Sequence, residues 1–257
     1  MGRALVVHYE MHYPDQISDA LTTKESQLAG TMNYDKKVYL DGEMQTEVEN
    51  RTYKVFDYVW NREFTYTYKH PSVRISPPKI GNTLAKIFID DSFQGLGQYD
   101  SNNNWVSNIT AQYSVGIYGG CEWYADGRFW ELYGIPLSHF DKFFVAGDYL
   151  VAADQYEEML AIRNVYDVRE NSIGVFQPVT ANAASHVVFI EYVERDSSGR
   201  PVNVYFTEGN TTKKHGYDYG KDAVVTKLSI ESFINRGSSA YMQKCIGYVL
   251  PNPEFYK

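Results

Sequence analysis

Gly119-Gly120-Cys121-Glu122-Trp123-Tyr124-Ala125 is the stretch on which the fold turns. Two glycines permit a tight turn. The run after them, Glu122 to Tyr133, is helical in character and stops at Gly134, with Pro136 beyond. Glycine and then proline are the residues that end helices. The pattern predicts Cys121 at or just before a helix N-terminus. There the helix dipole and unpaired N–H groups favour a thiolate. A cysteine so placed is a candidate nucleophile rather than ordinary core sulfur.

Working outward, a nucleophilic cysteine needs a base, and the base needs a group to orient it. Ser185-His186-Val187-Val188-Phe189-Ile190 sets a histidine at the head of an apolar strand. Phe206-Thr207-Glu208-Gly209-Asn210 closes the next strand with two polar groups. Between them, Asp196-Ser197-Ser198-Gly199-Arg200 is a turn, so the two strands form an antiparallel hairpin. Alternation puts His186, Val188, Ile190 and Tyr192 on one face, and Val202, Val204, Phe206 and Glu208 on one face of the next strand. If those faces coincide, Glu208 or Asn210 reaches the His186 ring and fixes its tautomer.

Further strands are expected at Ser172–Phe176, Ala223–Leu228 and Cys245–Leu250, and a second helix over Gln155–Arg163. A helix followed by an antiparallel sheet is an α+β layout.

Composition narrows the partners. The chain has 257 residues, is 44% hydrophobic and carries a net charge of −8. That charge argues against nucleic acid and against an anionic membrane surface. No apolar run approaches the roughly 18 residues of a membrane span. Met1-Gly2-Arg3-Ala4-Leu5-Val6-Val7 is too short for the apolar core of a signal peptide. A secretory leader would lie outside this sequence. Cys121 and Cys245 make no disulfide framework, and Cys245, in a strand-like stretch, is expected as a small buried apolar residue.

Residues 1–98 carry no catalytic pattern and are expected to form an N-terminal extension and a candidate cover for the cleft, with residues 99–257 as the catalytic domain. The extension includes a candidate helix at Gln16–Leu28 and a break at Ser76–Asn82. Phe56, Tyr58, Trp60, Phe64, Tyr66 and Tyr68 all lie at even positions, which reads as the buried face of a sheet before it reads as a sugar-stacking platform. Asp100-Ser101-Asn102-Asn103-Asn104 is a polar loop without the glycine and closing glutamate of a calcium loop. His8, His12, His70, His139 and His215 show no metal-ligand spacing, so no metal or cofactor is expected.

These residues resemble a known family. Gly-Gly-Cys-Glu-Trp-Tyr-Ala-Asp-Gly-Arg at 119–128 resembles the nucleophile motif of the CHAP family, the cysteine, histidine-dependent amidohydrolases/peptidases. Ser185 to Glu191 resembles its histidine strand, Phe206 to Asn210 its Glu-x-Asn strand end, and Ile246-Gly247-Tyr248-Val249 its closing strand. The resemblance covers roughly residues 105–251, with the motifs in the family's order. It implies a papain-like α+β fold and a bacterial, secreted or cell-surface hydrolase that cuts amide bonds in peptidoglycan peptides.

Carried over, Cys121 is the nucleophile, His186 the base, and Glu208 and Asn210 its orienting groups. The family usually has a small or neutral residue where this chain has Glu122. That carboxylate opposes thiolate formation if it points inward, or favours the helix if it faces solvent. Beyond the backbone N–H of Cys121, Gln112, Tyr118, Glu122 and Trp123 are the candidates for oxyanion or cleft positions, by proximity. The alternative is a silenced or gated module of a larger secreted or cell-surface protein, its cleft covered by the N-terminal region.

Overall fold

The computed structural model describes residues 67–71, 74–85, 119–137, 140, 143, 145–209 and 223–256 in full, and the backbone of several upstream strands. Those strands form two-stranded pairs: β1 (Thr31–Met32) with β6 (Val73–Arg74), β2 (Tyr39–Leu40) with β3 (Glu43–Met44), β4 (Arg51–Asp57) with β5 (Arg62–Tyr68), and β7 (Gly97–Tyr99) with β8 (Trp105–Ser107).

The main sheet is antiparallel and has seven strands. They are β9 (Met159–Ile162), β10 (Ile173–Pro178), β11 (His186–Arg195), β12 (Pro201–Thr207), β13 (Thr226–Ser229), β14 (Asn235–Ser238) and β15 (Tyr241–Pro251). Their order is β13-β12-β11-β10-β15-β14, with β9 also paired to β15. Helix α1 (Cys121–Tyr133) and the short α2 (Tyr149–Ala153) cover one face, and α3 (Ile230–Ile234) the other. This is an α+β fold built on an antiparallel sheet.

Because both faces are covered, the central strands carry apolar residues toward both faces, as in residues 187–190 of β11. Val187 and Phe189 of β11 pack with Ile173, Val175 and Val249 beneath α1. Val188 and Ile190 turn the other way and pack with Val204, Phe206 and Phe233. The expected alternation therefore holds from Val188 to Ile190 and meets Val204 and Phe206 on the same face. It fails at Tyr192, because the β11–β12 register shifts between Ile190 and Tyr192. A β-bulge moves every later side chain to the other face, so Tyr192 packs with Tyr205 and Val225 in a separate cluster.

Helix α1 begins at Cys121 and ends at Tyr133, with Gly134 at φ 73° donating to the Trp130 carbonyl. A left-handed residue here stops the helix, and glycine adopts that conformation without strain. The helix is buried on almost every side, which explains why it carries so little polar periodicity.

The expected helix over Gln155–Arg163 is absent. Instead α2 ends at Ala153, and Met159–Ile162 form β9, an edge strand on the C-terminal half of β15. Glu157, Glu158, Met159, Leu160 and Ala161 are good helix formers, but pairing with Tyr248–Pro251 overrides local propensity.

Part of the expected extension is built into this core. Lys69 donates its backbone N–H to the Tyr133 carbonyl at 2.9 Å, satisfying one of the orphan acceptors at the α1 C-terminus. Tyr68 stacks on Tyr256 at 3.9 Å and packs beside Tyr133. Gly81 and Asn82 exchange backbone bonds with Val225, and Leu84 packs on Tyr192 and Tyr205.

Phe56 does not share a face with Phe64, Tyr66 and Tyr68 of the aromatic stripe, and Tyr58 and Trp60 lie outside the described residues. The stripe spans two strands, and the register sets Phe64 across from Val55 and Tyr66 across from Tyr53, while Phe56 faces Glu63. The candidate helix at Gln16–Leu28 and the Asp100–Asn104 loop lie outside the described residues.

Candidate functional site

The three predicted pieces meet at one end of the sheet. Cys121 is the first residue of α1, after Gly120 at φ −71°, ψ 169° and Gly119 at φ 79°. His186 is the first residue of β11. Glu208 follows the last residue of β12. The β12 exit lies directly against the glycine turn: a Cβ on Gly209 would come within 2.7 Å of the Gly120 carbonyl oxygen and 3.0 Å of that of Gly119. Only glycine fits at 209, so the strand that delivers Glu208 and the turn that delivers Cys121 specify each other.

His186 Nε2 and Glu208 Oε2 are 2.5 Å apart, with both side chains nearly enclosed. A carboxylate oxygen only accepts, so Nε2 carries a proton, and in the neutral ring Nδ1 holds the lone pair. Burial pushes the Glu208 carboxyl up, but the hydrogen bond and charge of His186, with the charge and hydrogen bond of Arg236, more than offset it and bring it down to about 2. Glu208 is a carboxylate at neutral pH.

Cys121 is buried, with 6% of its surface exposed. Its Sγ donates to Glu122 Oε2 at 3.1 Å. Burial pushes the thiol up strongly, and the charge and hydrogen bond of Glu122 push it further. Backbone hydrogen bonds from Val187 and Glu122 act in the opposite sense and are outweighed. The contact with Val187, the neighbour of His186, ties the sulfur to the head of β11. Glu122 therefore takes the inward orientation, and Cys121 rests as a protonated thiol.

The remaining candidates divide. Trp123 is fully buried on α1, in the core cluster the helix shares with the sheet. Gln112, Tyr118 and Asn210 lie outside the described residues. Cys245 is a free, buried cysteine, as expected of a small apolar residue, and its thiol is pushed up to about 11 by burial. Among the described residues no group of three or more His, Cys, Asp or Glu could hold a metal ion, and no helix is long and apolar enough to cross a membrane.

Two residues went unseen in the sequence. Arg236 donates through Nη2 to Glu208 Oε1 at 2.8 Å. It sits in a short hairpin with no motif around it, and nothing in its spacing points to Glu208. Tyr149 is fully buried near Cys121, Glu122 and Asp126, and burial first, then the charges of Glu122 and Asp126, push its hydroxyl up. Two residues before it, Gly147 lies close against the start of β11, where a Cβ would meet the Ser185 hydroxyl at 2.6 Å.

No family model matches the chain, and no curated protein matches it in sequence.

Proposed function

We propose that this chain is a thiol hydrolase that cleaves amide bonds in peptidoglycan peptides, with Cys121 as nucleophile, His186 as base and Glu208 as the group that orients the base. The observation that carries the reading is the His186–Glu208 bond of 2.5 Å beside the N-terminal residue of α1. Three segments far apart in sequence contribute one part each of a nucleophile–base–orienter set. The peptidoglycan assignment rests on the motif order Cys121, His186, Glu208 and its resemblance to the CHAP family. That substrate lies outside the cell membrane, so the reading carries secretion or cell-surface attachment with it.

In the first step His186 Nδ1 takes the Cys121 proton and Sγ attacks the scissile carbonyl carbon. The tetrahedral oxyanion forms at the N-terminus of α1, where the helix dipole stabilises it. The C–N bond then breaks and the imidazolium returns its proton to the leaving amine. Water, deprotonated by His186, hydrolyses the thioester and regenerates the thiol. Glu208 remains a carboxylate throughout and stabilises the imidazolium.

Glu122 favours a second reading, a silenced module, because the thiol proton is held by a carboxylate in the resting site. The two part on turnover. Incubation with muropeptides and cross-linked stem peptides, read by mass spectrometry, should give new amine and carboxylate termini with wild-type protein and none with Cys121→Ala. If wild type leaves every peptide intact while Glu122→Gln cleaves them, the silenced reading holds. If neither cleaves, the hydrolase reading fails.

A further inference from the structure

Arg236 lies on β14, where the hairpin with β15 pairs it with Gln243. Its neighbour Gly237 has φ 105°, and a Cβ there would meet the Tyr241 carbonyl oxygen at 2.0 Å, so this tight hairpin requires glycine. The guanidinium carbon lies 5.2 Å from the Phe176 ring centre and 5.4 Å from that of Phe206. Phe233 braces both rings from the side, at 5.1 and 5.2 Å. Phe176 is also the cross-strand partner of His186. A closed circuit results: His186 to Glu208, Glu208 to Arg236, Arg236 to Phe176, and Phe176 back to His186 through the β10–β11 ladder.

The chemistry of Glu208 needs such a circuit. An enclosed carboxyl without a cation tends to take up a proton, and a carboxyl free to rotate offers the ring no fixed acceptor. Arg236 addresses both by binding Oε1 and leaving Oε2 to face Nε2. Two flanking rings restrict the guanidinium, so little side-chain freedom is left to lose.

We propose that Arg236 is a positioning residue of the thiol site, holding the Glu208 carboxylate so that His186 keeps its Nε2–H tautomer and offers Nδ1 to the Cys121 proton. This rests on reading Cys121 and His186 as a catalytic pair, while the tautomer itself is observable without turnover.

The test uses the full chain as wild type, Arg236→Gln and Arg236→Lys. Nitrogen-15 NMR of the histidine rings reads the tautomer, and iodoacetamide alkylation of Cys121 across pH reads the base. In wild type the His186 ring is a single Nε2–H tautomer at neutral pH. In Arg236→Gln it becomes a mixture, and the acid limb of the alkylation profile moves to higher pH by about one unit. Arg236→Lys keeps the charge and one donor, so it keeps the tautomer and shows a smaller shift in the same direction.

An unchanged tautomer and an unchanged limb in Arg236→Gln overturn the proposal. Should that variant not fold, an unchanged limb in Arg236→Lys does so. If wild type cleaves no peptidoglycan peptide, the hydrolase reading fails, and the NMR comparison still decides the role of Arg236.

Discussion

In the resting structure the Cys121 thiol donates to Glu122; on the proposed reading His186 is the acceptor with which Glu122 competes. A carboxylate one residue along the chain holds the thiol protonated through charge and hydrogen bond, on top of burial. Glu122→Gln keeps the shape and removes the charge. Its Cys121 should be alkylated about tenfold faster at pH 7, which corresponds to about one unit of thiol acidity. Peptide mass spectrometry, with Cys245 as the internal reference, reads this directly. An unchanged rate would mean that burial alone holds the thiol.

Glu208 carries its own pH signature. Its folded carboxyl lies at about 2, below the ordinary 4.5. A carboxyl depressed by folding contributes stability that is fully present above its unfolded value and is lost as pH falls through the folded one. Acid unfolding of wild type should therefore carry a Glu208 component between about pH 4.5 and 2. In Glu208→Gln that component disappears from the urea-midpoint profile. A profile identical to wild type would show that Glu208 is not held as a carboxylate.

At the scale of elements, α1 is fastened to the sheet by charge as well as by apolar packing. Arg128, within the helix, makes two bonds of 2.9 Å to Glu191 of β11, and the Thr207 hydroxyl donates to the same carboxylate at 2.8 Å. Burial works against both charges, yet the pair keeps Glu191 below its ordinary range and raises Arg128. Arg128→Met leaves a buried carboxylate without its main partner and should cost about 3–5 kcal/mol by urea unfolding. Pairing it with Glu191→Leu should recover most of that loss. A single-variant cost under about 1 kcal/mol would contradict the account.

The other end of the helix is set by Gly134. A Cβ there would lie 1.9 Å from the Thr67 carbonyl oxygen, so Gly134→Ala combines backbone strain with a collision against β5. The α1 boundaries were legible because turn, helix and stop are written in local residues, from Gly119 to Gly134. The β9 edge strand was not, since its pairing partners lie almost ninety positions further along the chain. Nor was the break in the aromatic stripe, which depends on the register of the β4–β5 hairpin.

For the molecule as a whole, legibility followed the same rule. Cys121, His186 and Glu208 each sit at the edge of an element, next to glycine or at a strand end, and such positions leave a trace in sequence. Arg236 and the Arg128–Glu191 pair leave none, because their partners are chosen by packing across the sheet. Glu170 belongs with them. It is enclosed, accepts the Val193 N–H at 3.1 Å through one oxygen, and is pushed up to about 8 by burial, which the Val193 bond and the charges of Arg195 and Arg74 only partly offset.

A carboxyl raised by folding stabilises fully below its unfolded value, and that stability is lost as pH rises through the folded one. Wild type should therefore lose stability between about pH 4.5 and 8 on account of Glu170. Glu170→Gln removes the slope and should melt higher than wild type above pH 8. Parallel profiles for the two proteins would refute this.

The most direct test of the central claim, that Cys121 and His186 act as one unit, is the alkylation rate of Cys121 against pH in wild type and in His186→Ala. The account predicts that Cys121 loses most of its neutral-pH reactivity in His186→Ala with the fold intact, while Cys245, the internal reference, is unchanged. A Cys121 rate untouched by His186→Ala would contradict it.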